Sequence, residues 1–273
     1  MDLHVHFLNV GCGNMVLMHL PGGAAVLYDC NIPHEREALI FAYLDGILGR
    51  KRPIDVLINS HPHPDHIRGI RKLHRRHPIG EIWGTEARGA DLASPEYDEF
   101  LKVRSRVKRY ALLENTRLRM SGVEFAFLDY SPEHSGDADE ESIVLRVSYG
   151  DASLILTGDT TARRWKEKIV PKYGEALRSN ALLASHHGSL QFFEDPPGSG
   201  EYYEDHLAAI SPEVTVVSVG PNEKGLPDNE ALALYAKYCR SCPAESGVWI
   251  TGDKGSMRLS LSDTEGWETE VFW

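Results

Sequence analysis

Long apolar runs are missing from this 273-residue chain. None of its hydrophobic stretches approaches the ~18 to 20 residues that cross a bilayer, so no membrane association is expected. The opening MDLHVHFLNVGCG lacks a basic segment followed by an apolar one, and no signal peptide is expected from it. Cysteine is scarce: four residues in a chain of this size do not make a disulfide framework, which points to a reducing, cytoplasmic compartment. Cys12 and Cys30 lie in or beside apolar, strand-like segments and read as buried thiols. Cys239 and Cys242 form a lone CxxC, open to three readings. A zinc site would lack half its ligands, a redox pair would sit far from any early strand, and two ordinary helix-end cysteines need neither. Positive charge is the minority, with 29 Lys+Arg against 40 Asp+Glu and a net −11, which disfavours a general nucleic-acid coat. With 42% hydrophobic and 25% charged residues, a disordered or collagen-like chain is excluded. The length easily supports a buried core.

What the chain has in excess is histidine, with 13 copies unevenly spread. They fall within a pattern of short strands and helices. Leu3–Asn9, Met15–Leu20 and Ala24–Asp29 read as strands parted by glycine turns, and residues 35–48 carry apolar positions at helical spacing. Asp55–Asn59 is a strand running into a histidine-rich loop, followed by a basic helix over about 67–77 and a strand at Glu81–Trp83. A helix is expected in the 96–109 region, then strands at Val123–Asp129, Ser142–Ser148 and Ser153–Thr157. Helices over about 161–170 and 229–238 flank strands at Ala181–Ala184 and Val214–Ser218, and residues 247–272 read as a β-meander. One long irregular stretch, about 190–211, contains Phe192, Phe193, Tyr202 and Tyr203 and reads as a lid, a binding loop or a disordered segment. Without a linker or a repeat, residues 1–273 form one expected domain. Two mixed sheets packed face to face with helices outside satisfy this α/β (α+β) pattern.

The chemistry centres on Ser60-His61-Pro62-His63-Pro64-Asp65-His66. Three imidazoles and a carboxylate follow a strand directly, which places four metal-competent groups at one strand end. His61 and His63 are two apart and point the same way in extended backbone. Asp65 and His66 come where the chain turns into a helix and can address a second position nearby. This mixture suits Zn²⁺, and also Mn²⁺ or Fe. Two further segments fit the same geometry. Leu154-Ile155-Leu156-Thr157-Gly158-Asp159 delivers a carboxylate to a strand end, and Leu182-Leu183-Ala184-Ser185-His186-His187-Gly188-Ser189 delivers histidine. A carboxylate at Asp159 can bridge two metals, and His186 can complete the second.

These motifs resemble those of the metallo-β-lactamase superfamily, with His61, His63, Asp65 and His66 as its HxHxDH motif. The resemblance covers nearly the whole chain and implies a four-layer αββα sandwich with a dinuclear centre of two divalent metal ions, expected to be zinc, that activates water. It makes Asp29 the strand-end aspartate that orients the metal loop, Asp159 the bridging aspartate and His186 the final histidine. It also implies a third histidine for the first metal, and His134 lies in the right interval; a surface histidine and a substrate-contacting loop are the competing readings. A narrower similarity is to the hydrolase domain of ComEC-type DNA-uptake proteins and their stand-alone relatives. Phe7-Leu8-Asn9-Val10-Gly11-Cys12-Gly13-Asn14, Leu156 to Asp159, His186 to Ser189 and Ser218-Val219-Gly220-Pro221-Asn222 carry it, with Thr251-Gly252-Asp253-Lys254-Gly255-Ser256 at the end. Two features depart from that pattern: Gly225-Leu226-Pro227 lacks the histidine those relatives often have, and the loop after His187 is longer.

The expected function is therefore metal-dependent hydrolysis of a phosphodiester, in a nucleic acid or a nucleotide. Asp65 and Asp159 are the catalytic candidates, Asp65 also as a proton donor to the leaving group. Ser185, Ser189 and Asn222 are candidate phosphate donors or supports for ligands, and His187 is expected to face substrate or support a ligand because adjacent side chains diverge at a strand end. Two basic clusters, Arg68 to Arg76 and Lys102 to Arg109, read either as solvated helix faces or as a phosphate-steering patch. The alternatives are hydrolysis of a lactone, thioester or β-lactam, and a binding module that keeps the fold without turnover.

Overall fold

Strands that are apolar on both faces need a packed layer on each side, and that requirement organises this molecule. The computed structural model describes residues 2–84, 93–112, 115–129, 136–240, 247–262 and 266–272. The chain starts with β1 (Leu3–Phe7), β2 (Val16–His19) and β3 (Ala25–Tyr28), then passes through α1 (Glu37–Leu48) to β4 (Ile54–Asn59). The short α2 (Pro64–Ile67) and α3 (Ile70–Arg76) lead to β5 (Ile79–Gly84), and α4 (Pro95–Arg104) to β6 (Lys108–Ala111). Next come β7 (Arg117–Met120), β8 (Val123–Asp129), β9 (Val144–Tyr149) and β10 (Ala152–Leu156). Then α5 (Ala162–Arg164), a π turn (Trp165–Ile169) and α6 (Val170–Tyr173) lead to β11 (Ala181–Leu183). The remainder is α7 (Asp205–Ile210), β12 (Val214–Val217), α8 (Asn229–Lys237), β13 (Val248–Ile250), α9 (Thr251–Lys254), β14 (Ser256–Leu261) and β15 (Trp267–Phe272).

The strands form two mixed sheets, ordered β15-β14-β1-β2-β3-β4-β5-β6 and β13-β12-β11-β10-β9-β8-β7. Side-chain alternation splits the core into three layers. Val26 and Tyr28 of β3 join Phe125, Leu145 and Leu154 between the sheets, whereas Ala25 and Leu27 pack outward with Ile40, Leu44 and Leu73 of the helices. On the far side, Ile155, Leu182 and Val217 meet Trp165, Leu207 and Tyr235. This is the expected αββα sandwich. Among the described residues, no helix is long and apolar enough to cross a membrane.

Strands β3, β4 and β5 run parallel, as do β10, β11, β12 and β13. Their C-terminal ends open on one edge of the sandwich, where ligands collect in parallel sheets. The segments carrying Asp29, His61 to His66, Asp159, His186, His187 and Ser218 all leave from those ends.

Several elements depart from expectation. The helix expected through residue 109 stops at Arg104, and Lys108–Ala111 instead pairs with β5 as an edge strand. Strand β7 was not anticipated either. Both are sheet edges whose charges pair across the strands, Lys108 with Glu81 and Arg117 with Glu124 at 2.8 Å, and edge strands characteristically carry such residues. The terminal meander is split: β13 joins β12 in parallel, α9 crosses over, and only β14 and β15 form a hairpin, in the other sheet. The stretch over 190–211 is also more ordered than a lid, with a 3₁₀ turn at Leu190–Phe193 and helix α7.

Candidate metal centre

Because β3 and β4 end side by side, the residues just beyond them meet. Asp29 is fully buried with φ 56, and its Oδ1 accepts the Ser60 backbone N–H at 2.7 Å. Its Oδ2 accepts the Ser60 hydroxyl at 2.8 Å and lies 2.7 Å from Nδ1 of His66. A proton on His66 Nδ1 satisfies that contact and turns Nε2 inward, 3.3 Å from Asp159 Oδ1. Burial opposes a charge on His66, but Asp159 and Asp29 outweigh it and hold the ring well above the usual histidine range.

His61 is equally buried. Its Nδ1 contacts the hydroxyls of Ser60 and Ser142, each at 3.1 Å, which leaves Nε2 facing the cluster. Burial, reinforced by His66, pushes its pKa well below normal, so the ring is neutral and able to donate a lone pair. Nδ1 of His63 lies 3.1 Å from His61 Nε2 and 3.0 Å from Asp139 Oδ1. The Asp139 backbone N–H is held by the Asp137 carboxylate at 3.0 Å, and the Ile143 N–H by the Ser60 carbonyl at 3.0 Å, so the acidic loop is tied to the histidine loop. Burial and then the neighbouring Asp159 raise the Asp139 carboxyl to about 6, against the hydrogen bond from His63. Gly158 explains how Asp159 gets so close: at φ 55, a Cβ there would lie 2.4 Å from Ser142 Oγ and 2.8 Å from Ser60 Cβ.

The histidine pair after β11 departs from the expected arrangement. Both residues adopt left-handed backbone, with φ 42 at His186 and φ 56 at His187, so the alternation of a strand end does not apply to them. His187 is the fully buried one. Its Nδ1 lies 3.0 Å from the Ser218 carbonyl, and its Nε2 reaches Asp65 Oδ2 at 3.6 Å and Asp159 Oδ2 at 3.9 Å. His186 also faces Asp159, at 3.6 Å, but its ring stacks on Phe192 with centroids 3.9 Å apart and is partly exposed. Burial lowers His186 to about 4. Burial alone would raise Asp65, yet the His187 ring facing it at 3.6 Å and the charge on His66 hold it well below the carboxylate range. An Asp65 kept ionised in this way is suited to binding a cation and not to donating a proton.

The donor set fits divalent metal ions. Nε2 of His66, Nε2 of His187, Nδ1 of His186 and Oδ1 of Asp159 are buried without a hydrogen bond, a costly arrangement that a cation would relieve. Among the described residues, ligand atoms lie within 4.8 Å of one another in three groups: His61, His63 and Asp139; His61, His66 and Asp159; and Cys12, Asp65 and His187. Asp139 and Cys12 are the members that sequence reasoning missed.

The other selected residues divide. Ser185 donates its hydroxyl to the Thr160 carbonyl at 3.0 Å. Ser189 lines a cavity of about 430 Å³ with His186, Gln191, Lys224 and Asp228. Asn222 spends its side chain on its own loop, donating to the Gly220 and Leu226 carbonyls at 2.8 Å and accepting from the Leu226 N–H at 3.2 Å. That removes it as a phosphate donor and makes it the brace of the Lys224 loop. His134 and Cys242 lie outside the described residues, while Cys239 donates to the Glu213 carbonyl at 2.9 Å. In the first basic cluster, Lys72 pairs with Glu37 at 2.5 Å, Arg76 with Asp45, and Arg71 with Glu99 at 3.7 Å. These are ordinary helix-face ion pairs. Of the expected aromatic lid, Phe193 is buried against His206 and Tyr235, Tyr203 stacks on His206, and Phe192 alone is seen stacking on a residue of the centre.

A four-layer sandwich with imidazoles and carboxylates gathered at its strand ends defines a metallo-hydrolase. The family model described as the metallo-beta-lactamase superfamily matches residues 8–191, and the chain belongs to that superfamily. It is 32% identical over 169 residues to competence protein ComA of Neisseria gonorrhoeae, an alignment covering 62% of this chain and 20% of that protein. The chain thus corresponds to about a fifth of that relative's length. Among solved structures it resembles the metallo-beta-lactamase fold protein YhfI of Bacillus subtilis, with a TM-score of 0.55 and 16% identity over 91% of this chain and 96% of that one. CmlA, a diiron β-hydroxylase from Streptomyces venezuelae, matches with a TM-score of 0.55 and 14% identity over 99% of this chain and 54% of its own. At such identities the likeness is one of fold.

Proposed function

We propose that the chain hydrolyses phosphodiester bonds, in a nucleic acid or nucleotide, with two divalent ions at this centre. The observation that carries the substrate class is the cationic flank of the site. Lys224 Nζ lies 3.9 Å from Asp65 Oδ2, and a cavity of about 350 Å³ beside Cys12 is lined by Arg36 and Arg68, with Glu35 as its one acidic group and Glu96 3.9 Å from Arg68. Cations on both sides of a carboxylate-rich centre suit a substrate with an anionic backbone. The similarity to a competence protein supports the same class. Apolar cover for an acyl group is limited, because Phe193 and Tyr203 are committed to packing around His206.

His61, His63 and Asp139 would hold one ion, and Asp65, His66 and His187 the other, with Asp159 between them. Zinc suits this mixture, and manganese or iron are compatible with it. When bound, the ions supply Lewis acidity that lowers the pKa of water and offsets charge on the phosphoryl group. The protein does the positioning. Asp29 and the Ser218 carbonyl fix the tautomers of His66 and His187, Asp65 stays ionised, and Lys224 presents its ammonium to the phosphate. His186 is neutral near pH 7 and lines the cavity with Ser189, a place for the group leaving or entering. The free thiols of Cys12 and Cys30 suit a reducing, cytoplasmic setting.

The test is a metal-loaded preparation offered bis-p-nitrophenyl phosphate, a lactone and nitrocefin. Turnover of the phosphodiester ahead of the other two supports the proposal. Turnover of the lactone or nitrocefin alone assigns a carboxyl derivative instead, and inactivity on all three with confirmed metal points to a binding module.

A further inference from the structure

Among the described cysteines, Cys30 donates its thiol to the Arg68 carbonyl at 3.4 Å and Cys239 to the Glu213 carbonyl at 2.9 Å. Cys12 is placed differently. It lies on the loop between β1 and β2, far in sequence from every histidine of the centre, yet its Sγ is within 4.8 Å of a carboxylate oxygen of Asp65 and a ring nitrogen of His187. The second observation is His187 itself. It has no exposed side-chain surface, its Nδ1 is engaged by Ser218, and its Nε2 has no hydrogen-bond partner while facing the same point.

The backbone holds the thiol there. The Cys12 carbonyl accepts from Asn31 Nδ2 at 2.8 Å, the Gly13 carbonyl from the Ser218 hydroxyl at 2.7 Å, and the Asn14 N–H donates to the Asp65 carbonyl at 3.1 Å. Gly13 is jammed against these supports: a Cβ would fall 2.0 Å from Asn31 Nδ2 and 2.5 Å from the Asp65 carbonyl oxygen. The loop is therefore braced by Asn31 next to β3, Asp65 after β4 and Ser218 after β12, which are the same regions that carry the centre.

We propose that Cys12 is a metal ligand, its thiolate joining Asp65 and His187 around one of the two ions. The inference rests on the metal-centre reading above and goes beyond it by naming a sulfur donor. On binding, the thiol gives its proton to the buffer and a sulfur–metal bond forms, with no change of oxidation state. The two halves of the centre then differ, with His61, His63 and Asp139 offering nitrogen and oxygen while the Cys12 side adds a soft donor. Soft thiolate favours zinc over magnesium, calcium or manganese at that position.

Cobalt(II) tests this, since thiolate ligation gives an intense sulfur-to-cobalt charge-transfer band in the near ultraviolet that nitrogen and oxygen donors lack. The metal-stripped full chain is titrated with cobalt(II), recording bound metal, spectrum and released protons. The expected result is the band in the wild type and in Cys30→Ser, and its loss in Cys12→Ser and Cys12→Ala. Cobalt affinity at that position should fall at least ~10-fold, a loss typical of removing even a support of a ligand. One fewer proton should be released per chain. Cobalt bound by the wild type with visible absorption but no charge-transfer band overturns the thiolate and leaves the metal centre standing. Persistence of the band in Cys12→Ala also overturns it. Failure of the wild type to bind cobalt overturns both. Cys239→Ser should also keep the band, and the conservative Cys12→Ser separates loss of the thiolate from loss of the fold.

Discussion

The Nδ1 atom of His187 lies 3.0 Å from the backbone carbonyl of Ser218, just beyond the end of β12. That contact fixes the ring and turns Nε2 toward Asp65 and Asp159, the arrangement by which a backbone acceptor prepares an imidazole to ligate. His186 is tied instead to Phe192. His187→Ala is therefore expected to lose about one equivalent of bound metal and to cut turnover by at least ~100-fold. His186→Ala should keep both equivalents and act mainly on KM. Elemental analysis of the two purified variants checks the difference; the reverse pattern would return the ligand role to His186.

Asp29 stands behind His66 as Ser218 stands behind His187. Asn accepts the left-handed backbone that Asp29 adopts at φ 56, so Asp29→Asn preserves the turn while removing the charge. Metal affinity should fall ~10- to 100-fold, as for other outer supports of ligating histidines. Competition with a chromophoric chelator measures this. Unchanged affinity would mean that His66 does not depend on Asp29 for its orientation.

Away from the centre, His206 is stacked among Trp165, Phe193 and Tyr203, and burial lowers its pKa from 6.5 to about 3 despite Glu204. Between those values the unfolded chain binds a proton that the folded chain refuses. Stability from this group is thus complete above about pH 6.5 and lost as pH falls toward 3. His206→Phe should flatten the decline in urea-unfolding stability between pH 6 and 4 by up to about 1.4 kcal/mol per pH unit. An equally steep decline would show that other groups govern acid sensitivity.

The cationic flank makes a separate prediction. Lys224→Glu should raise KM for a single-stranded oligonucleotide ~10-fold and make the salt dependence of kcat/KM shallower, because one phosphate contact is lost. A small uncharged lactone should be indifferent to the change. If oligonucleotide cleavage kept its salt slope, Lys224 would not be gripping the backbone.

Much of this was legible in the sequence, for physical reasons that are specific. The density of His61, His63, Asp65 and His66 after an apolar strand is hard to explain without a bound cation, and both Asp159 and the histidine pair follow strands. Asp139 was not legible because it lies among Asp137, Glu140 and Glu141, a run that reads like any solvated loop until its contact with His63 is seen. Cys12 shares the centre only through tertiary packing across about fifty residues of chain to Asp65. The order of His186 and His187 depended on two left-handed residues, which no periodicity announces. Strands β6 and β7 were missed because edge strands carry the charges of helix surfaces.

Cleavage of bis-p-nitrophenyl phosphate, followed while zinc is titrated into metal-stripped protein, bears most directly on the proposed centre. The rate is expected to rise from background and level off at two equivalents per chain, and to stay at background in Asp159→Ala. Full activity in stripped protein, or an undiminished rate in Asp159→Ala, would contradict a two-metal phosphodiesterase built on these residues.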